Sequence, residues 1–184
     1  MDIPHIRYLY IVRHCQATGQ QPAAPLTDAG QVQAQQLAEH FAPLGIELIV
    51  ASPLLRAQQS IVPLAQRLGL AVGVDLRLAE RVLSTAPLDD WRAALGASFD
   101  DLDLAWPGGE SSRGALARGR AAVDDVLSQP AHAAVIVTHG NLMTLILRSF
   151  ASQFGFAAWE QLSNPDVYRI TIEQERTVVE RTWV

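Results

Sequence analysis

Arg13-His14-Cys15 puts a cation, an imidazole and a thiol in consecutive positions directly after the apolar, β-prone run 8–12. In open α/β sheets the carboxyl ends of strands are where ligands meet side chains. The same event recurs late in the chain, where the apolar run 133–137 ends in Thr138-His139-Gly140. Between them a third apolar run, 48–51, leads through Ser52-Pro53-Leu54-Leu55 to Arg56, one turn into the helix expected next. Two arginines and two histidines at one sheet edge suit a multiply charged oxyanion. Guanidinium forks supply planar, permanently charged donors, and a phosphate monoester is a ligand of that kind.

The residue types then set the chemistry. Neutral His14 is suited to in-line attack on phosphorus through one ring nitrogen, while the other nitrogen donates to a carbonyl and fixes the tautomer. Positive charge on Arg13 and Arg56 lowers the histidine pKa and neutralises the transferring group. His139 is placed to hydrogen-bond the same oxygens. The departing oxygen needs a proton, and Glu80 in Leu78-Ala79-Glu80-Arg81, after the third strand, is the best candidate, with Glu110 as substitute. Gln20, through its amide, and Gly140 complete the expected phosphate-binding set. A cysteine-phosphatase mechanism at Cys15 needs an arginine six positions on, where Gln21 stands. Cys15 is instead expected to be small and buried, although a thiolate beside two cations would be open to oxidation.

These side chains need a scaffold. Apolar runs at 8–12, 48–51, 71–74 and 133–137 alternate with helix-period segments, the pattern of parallel βαβ units covered on both faces. Thr27 is expected to cap a helix running to Phe41, and Ser52 the next one, with Pro53 at its first position and Pro63 kinking or splitting it. Helices are also expected at 112–127 and 141–150. Runs 167–172 and 177–183 alternate as an edge hairpin around a polar turn at 173–176. Segment 84–109, with weak periodicity and tryptophan and proline interruptions, is expected to form a cap beside the site. Trp91, Phe99 and Trp106 there are candidates for a substrate rim or cap core.

Length and composition bound the rest. The 184 residues, 49% of them hydrophobic, suit one domain spanning 1–184. A net charge of -5 argues against nucleic acid as the main partner. One cysteine excludes an internal disulfide and a cysteine-built zinc cage, which fits a reducing, cytoplasmic setting. No apolar run is long enough to span a membrane, and no signal sequence is evident at the N-terminus. No metal-binding spacing, GxxxxGK loop or G-x-S-x-G elbow occurs, so neither metal nor cofactor is expected. His5, His40 and His132 fall at a terminus, a helix end and a loop and carry no expected role.

Together the motifs resemble the histidine phosphatase superfamily, which includes phosphoglycerate mutase-like proteins and many small phosphatases. Arg13-His14-Cys15 resembles its Arg-His-Gly motif, and His14 matches the nucleophile that becomes phosphohistidine. Ser52-Pro53-Leu54 with Arg56-Ala57, and Thr138-His139-Gly140, resemble its other phosphate-binding motifs. Glu80 matches its proton donor. Leu26-Thr27-Asp28-Ala29-Gly30 and Pro107-Gly108-Gly109-Glu110-Ser111 also look like family landmarks. The chain departs from the pattern at Cys15, usually glycine, at Gln16, often glutamate, and at Gln20, often asparagine. The resemblance implies a three-layer α/β/α sandwich with a mostly parallel sheet and a C-terminal antiparallel edge. It implies a metal-independent phosphomonoester hydrolase for a small phosphorylated metabolite, monomeric or homodimeric. The alternatives are a mutase-type phosphoryl transferase and a silent phospho-ligand binder. A mutase needs cations for a second anionic group, and Arg81, Arg92 and Arg113 are the candidates, beside the acids Asp100, Asp101 and Asp103.

Overall fold

The computed structural model describes residues 7–173 and 176–183. At its centre is a six-stranded sheet in the order β3-β2-β4-β1-β5-β6. Strands β1 (Tyr8–Arg13), β2 (Leu48–Ala51), β3 (Val72–Val74) and β4 (Ala133–Thr138) are parallel. Strands β5 (Asp166–Glu173) and β6 (Arg176–Arg181) close the other edge as an antiparallel hairpin beside β1. Residues 174 and 175 of the expected turn lie outside the described residues, as does His5. Among the described residues six α-helices flank the sheet: α1 (Asp28–Phe41), α2 (Leu55–Leu68), α3 (Trp91–Asp100), α4 (Ser112–Leu127), α5 (Gly140–Phe150) and α6 (Phe156–Glu160).

Strand alternation sorts the core into two halves, because successive side chains point to opposite faces. Tyr10, Val12, Ile49, Val135 and Val137 meet Leu37 and Phe41 of α1 and Ile61 and Leu64 of α2. Leu9, Ile11, Ala134 and Ile136 meet Val123 and Val126 of α4 and Leu142 and Ile146 of α5. The result is the expected three-layer α/β/α arrangement. Every residue of β4 is buried, which is why its sequence reads as a continuous apolar run rather than an alternating one. Each fully buried Leu or Ile contributes roughly 1.5–3 kcal/mol, so the strands carrying the site sit in the most strongly held part of the molecule.

Local capping signals explain three of these six helix starts. Thr27 caps α1, its hydroxyl accepting from the Gly30 amide at 3.0 Å. Asp90 and Ser111 cap α3 and α4 through Ala93 N and Gly114 N. The cap expected at Ser52 is absent, and of the two outcomes expected at Pro63 the split does not occur. Ser52 does not cap α2, which starts at Leu55 with Leu54 at its N-cap and no side-chain cap; the Ser52 hydroxyl is paired with a histidine of a neighbouring strand end instead. Pro63 does not split α2, which runs unbroken from Leu55 to Leu68. Proline costs a helix interior about 3 kcal/mol, and burial of Ile61 and Leu64 on either side of it offsets that loss. Segment 84–109, weakly periodic in sequence, contains α3. The short α6 has no counterpart among the sequence expectations.

Candidate active site

Sheet order determines which residues meet. The neighbours β2, β4 and β1 end side by side, with Ala51 opposite Val137 and Arg13 opposite Thr138. The ladder extends one residue further on each side, since Ser52 N and His14 N donate to the carbonyls of Val137 and Thr138 at 2.9 and 3.0 Å. Ser52, His139 and His14 therefore leave the sheet at one level. The two histidine rings lie 5.0 Å apart, centroid to centroid.

His14 is fixed from both sides. Its Nδ1–H donates to the Cys15 carbonyl at 2.6 Å, since a carbonyl only accepts. The Nε2 lone pair is thereby left free, and it accepts from Arg56 Nε–H at 3.2 Å. Burial, reinforced by the Arg56 and Arg13 charges, pushes the His14 pKa down to about 4. His139 is also held well below the ordinary histidine value, by burial first and then by His14 and the arginines. Its Nε2 pairs with Ser52 Oγ at 2.7 Å, and its Nδ1 has no partner.

Arg56 is 1% exposed, unlike an ordinary solvated helix arginine. Its Nη1 donates to the carbonyls of Gln20 and Gln21 at 3.2 and 3.1 Å, tying the loop after β1 to α2. One turn on, Ser60 Oγ accepts from Cys15 N at 2.8 Å. Gln16 O accepts from Thr27 N, and a Cβ on Gly30 would lie 2.0 Å from that same oxygen. The glycine of the Leu26-Thr27-Asp28-Ala29-Gly30 segment thus lets α1 lie directly against the loop. Cys15 is fully buried, and burial raises its thiol to about 11. The small, buried state expected for Cys15 is the one found, and the oxidisable thiolate weighed beside it is disfavoured.

Arg13 reaches the other way. Its Nη1 donates to the carbonyls of Leu162 and Ser163, while its buried Nε has no partner. The same segment holds the nucleophile loop through Asn164 Nδ2, which donates to the His14 carbonyl at 2.7 Å. Asp166, fully buried, anchors the segment through a two-pronged pairing with Arg181. A Cβ on Gly140 would lie 3.2 Å from both Arg13 Nε and Trp159 Nε1, so glycine gives both groups room beside the start of α5.

Glu80 follows a turn of 3-10 helix (Leu76–Leu78) rather than β3 directly. Its carboxylate accepts from three backbone amides, Arg81 N at 2.9 Å, Asn141 N at 3.1 Å and Leu142 N at 3.0 Å, the arrangement favoured at a helix N-terminus. Glu110 is committed elsewhere, to a two-pronged pair with Arg118. A cavity of about 650 Å³ opens here. Arg13, His14, Gln20, Glu80 and Gly140 are among the residues that line it, whereas Arg56 and His139, buried against His14, are not. Trp91 also lines the cavity, but Phe99 and Trp106 do not; Phe99 is core. Trp159, whose indole nitrogen adjoins Arg13 and Gly140 on the cavity wall, has no motif to mark it. Among the described residues no group of three or more His, Cys, Asp or Glu side chains is placed to hold a metal ion, and no helix is long and apolar enough to cross a membrane.

A fold of this topology with paired histidines and arginines at the strand ends defines a phosphoryl-handling α/β protein. The chain belongs to the histidine phosphatase superfamily (branch 1), whose family model matches residues 9–183. It is 30% identical over 185 residues to a probable phosphoglycerate mutase of Enterobacter sp. (strain 638), covering 90% of this chain and 85% of that protein. It is 31% identical over 169 residues to the glucosyl-3-phosphoglycerate phosphatase of Mycobacterium tuberculosis, covering 75% and 74%. A solved structure of a mycobacterial glucosyl-3-phosphoglycerate phosphatase superposes with a TM-score of 0.76 at 26% identity, covering 96% of this chain and 97% of the other.

Proposed function

We propose that this protein hydrolyses small phosphomonoesters through a phosphohistidine on His14. The observation that carries the proposal is the orientation of the His14 ring, with Nδ1–H spent on the Cys15 carbonyl, which leaves Nε2 as the acceptor, held here by Arg56 Nε–H. A dianionic phosphoryl group entering the cavity replaces His14 as the partner of Arg56 Nε and meets the unpaired Nε of Arg13. Ser52 O–H donates to His139 Nε2, which leaves His139 Nδ1–H to reach a phosphoryl oxygen. Gln20 and the Gly140 end of α5 border the same anion.

In the first step the Nε2 lone pair forms the N–P bond as the P–O ester bond breaks, and Glu80 gives a proton to the leaving oxygen. Glu80 then takes a proton from water as the water oxygen attacks phosphorus. The N–P bond breaks and its electrons return to His14, releasing inorganic phosphate. Charge neutralisation by the guanidinium groups is the main protein contribution to both steps.

Hydrolysis is favoured over mutase chemistry by the state of the three candidate cations. Arg92 pairs with Glu160 and Arg113 with Asp103, which leaves Arg81 alone to face a second anion in the cavity. The single buried thiol supports a cytoplasmic setting. Rapid acid-free quenching during turnover of a generic aryl phosphate, followed by mapping of acid-labile phosphate, tests the reading. Label on His14, absent in His14→Ala, is expected; turnover with label elsewhere or none overturns it. 2-Phosphoglycerate is expected to yield free phosphate and no 3-phosphoglycerate.

A further inference from the structure

Beyond the phosphoryl end, the cavity changes character. The rest of its lining is largely apolar, formed by Leu83, Ala86, Leu88, Trp91 and Leu95 and by the ring of Trp159, whose Nε1 end adjoins Gly140 and Arg13. The two indoles meet edge to face at 6.0 Å, and Phe156 stacks behind Trp159 at 5.5 Å, so α3 and α6 present a firm aromatic surface. Besides Ser84, whose hydroxyl donates to the Ala86 carbonyl, two incompletely paired polar groups interrupt it. Asn141, 6% exposed, lines the cavity with neither Oδ1 nor Nδ2 bonded. Arg81, 5% exposed, spends Nε on the Glu110 carbonyl and Nη1 on Ser98 and Ser112, and its Nη2 has no partner.

A buried, unpaired amide costs about 1–3 kcal/mol, and side chains in this state point to a partner that arrives with the ligand. An amide both donates and accepts, so it is matched by a group that does both, a hydroxyl or carboxamide, rather than by a carboxylate, which only accepts. Arg81 adds a single donor. Its charge already faces Glu80 and Glu110, so it offers little net attraction to a second anion. Position matters as well: the backbone amides of Arg81 and Asn141 both hold the Glu80 carboxylate, so both side chains start from backbone fixed beside the proposed proton donor.

We infer that the leaving group of the natural substrate is an aromatic or otherwise apolar ring bearing one neutral hydroxyl or carboxamide close to the ester oxygen, rather than a carboxylated three-carbon unit or a polyhydroxylated sugar. This rests on the phosphoryl end of the cavity being the one assigned above. Trp91 and Trp159 cover the ring, Asn141 and Arg81 Nη2 take the neutral polar group, and His14 with Arg13 receives the phosphoryl group.

Non-hydrolysable phosphonates test recognition without the influence of leaving-group chemistry. Inhibition constants and calorimetric Kd values are compared for benzylphosphonate, (2-hydroxybenzyl)phosphonate and 3-phosphonopropionate. Benzylphosphonate is expected to bind about tenfold more tightly than 3-phosphonopropionate, from ring burial, and the hydroxyl to add about fivefold. Trp91→Ala, at an exposed position where folding is not at risk, is expected to shrink the aryl-over-carboxylate ratio. Asn141→Ala is expected to erase the hydroxyl increment. Equal or tighter binding of 3-phosphonopropionate, or no hydroxyl increment in the parent protein, overturns the inference even where phosphoester turnover and His14 labelling hold. Aryl selectivity with the hydroxyl increment but no turnover of any ester sinks the hydrolase reading and leaves the recognition inference standing. Failure of all three compounds to bind overturns both.

Discussion

At the scale of single residues, the site turns on how each nitrogen and oxygen of a few side chains is used. His14 has one ring nitrogen spent and one presented, so replacing it removes the proposed nucleophile rather than adjusting it. His14→Asn is expected to lower kcat on the order of 10⁴-fold or more, with the fold intact by circular dichroism. Glu80 works differently, because its demand depends on the leaving group. Glu80→Gln is expected to lower kcat about 10²–10⁴-fold for an alkyl phosphate and far less for 4-nitrophenyl phosphate, whose oxygen leaves without a proton. Equal losses for both esters would assign Glu80 a role in holding α5 through its three amide contacts instead. Cys15 illustrates the opposite case, an eye-catching residue type with no chemistry to do. Its buried, high-pKa thiol is expected to resist iodoacetamide in the native protein and to react at once after unfolding, with peroxide leaving activity unchanged on the same timescale.

At the scale of elements, the motifs act because strands and helix starts are locked together behind them. Thr27 caps α1, its amide holds the Gln16 carbonyl in the nucleophile loop, and Gly30 leaves room for that carbonyl. Thr27→Ala is expected to cost about 1 kcal/mol of stability, read as a lower urea midpoint, and to raise KM for phosphoesters through a looser loop. The elements that carry the site are also those legible in the sequence. Strands β2 and β4 read as apolar runs because both faces are covered, and α1 announces itself by its cap. What was illegible depends on contacts distant in sequence. Ser52 has the local signature of a helix cap, but its partner is His139, 87 positions away, and no local rule sees that pairing. Helix α3 hides because only Leu95, Ser98 and Phe99 face inward, and Gly96, beside the Phe156 ring, adds no apolar side chain to the pattern. Trp159 acquires a place on the cavity wall only because α6 packs on α3. The catalytic end is thus written in strand-end motifs, while the recognition end is assembled from segments whose individual patterns are weak.

At the scale of the whole molecule, burying a cluster of imidazoles among arginines ties stability to pH. An ordinary histidine titrates near 6.5, whereas His14 in the folded protein does so at about 4. As pH falls below 6.5, the unfolded chain takes up a proton that folded His14 refuses, so the unfolded state gains. The stabilisation associated with the neutral ring is fully present above 6.5 and is lost as pH falls to about 4. At 1.36 kcal/mol per pH unit this amounts to about 3 kcal/mol for His14, and His139, shifted the same way, steepens the slope. Urea denaturation between pH 7 and 4.5 is expected to show a progressive fall in the unfolding free energy. His14→Gln should flatten that fall by about 2 kcal/mol over the same interval. Saturating inorganic phosphate should flatten it in the parent as well, because a bound anion beside the ring favours imidazolium and raises the folded-state pKa toward the ordinary value. Parallel slopes in parent and variant would mean that His14 titrates normally in the folded protein, and with that the permanently available lone pair on which the proposed reaction relies would be lost.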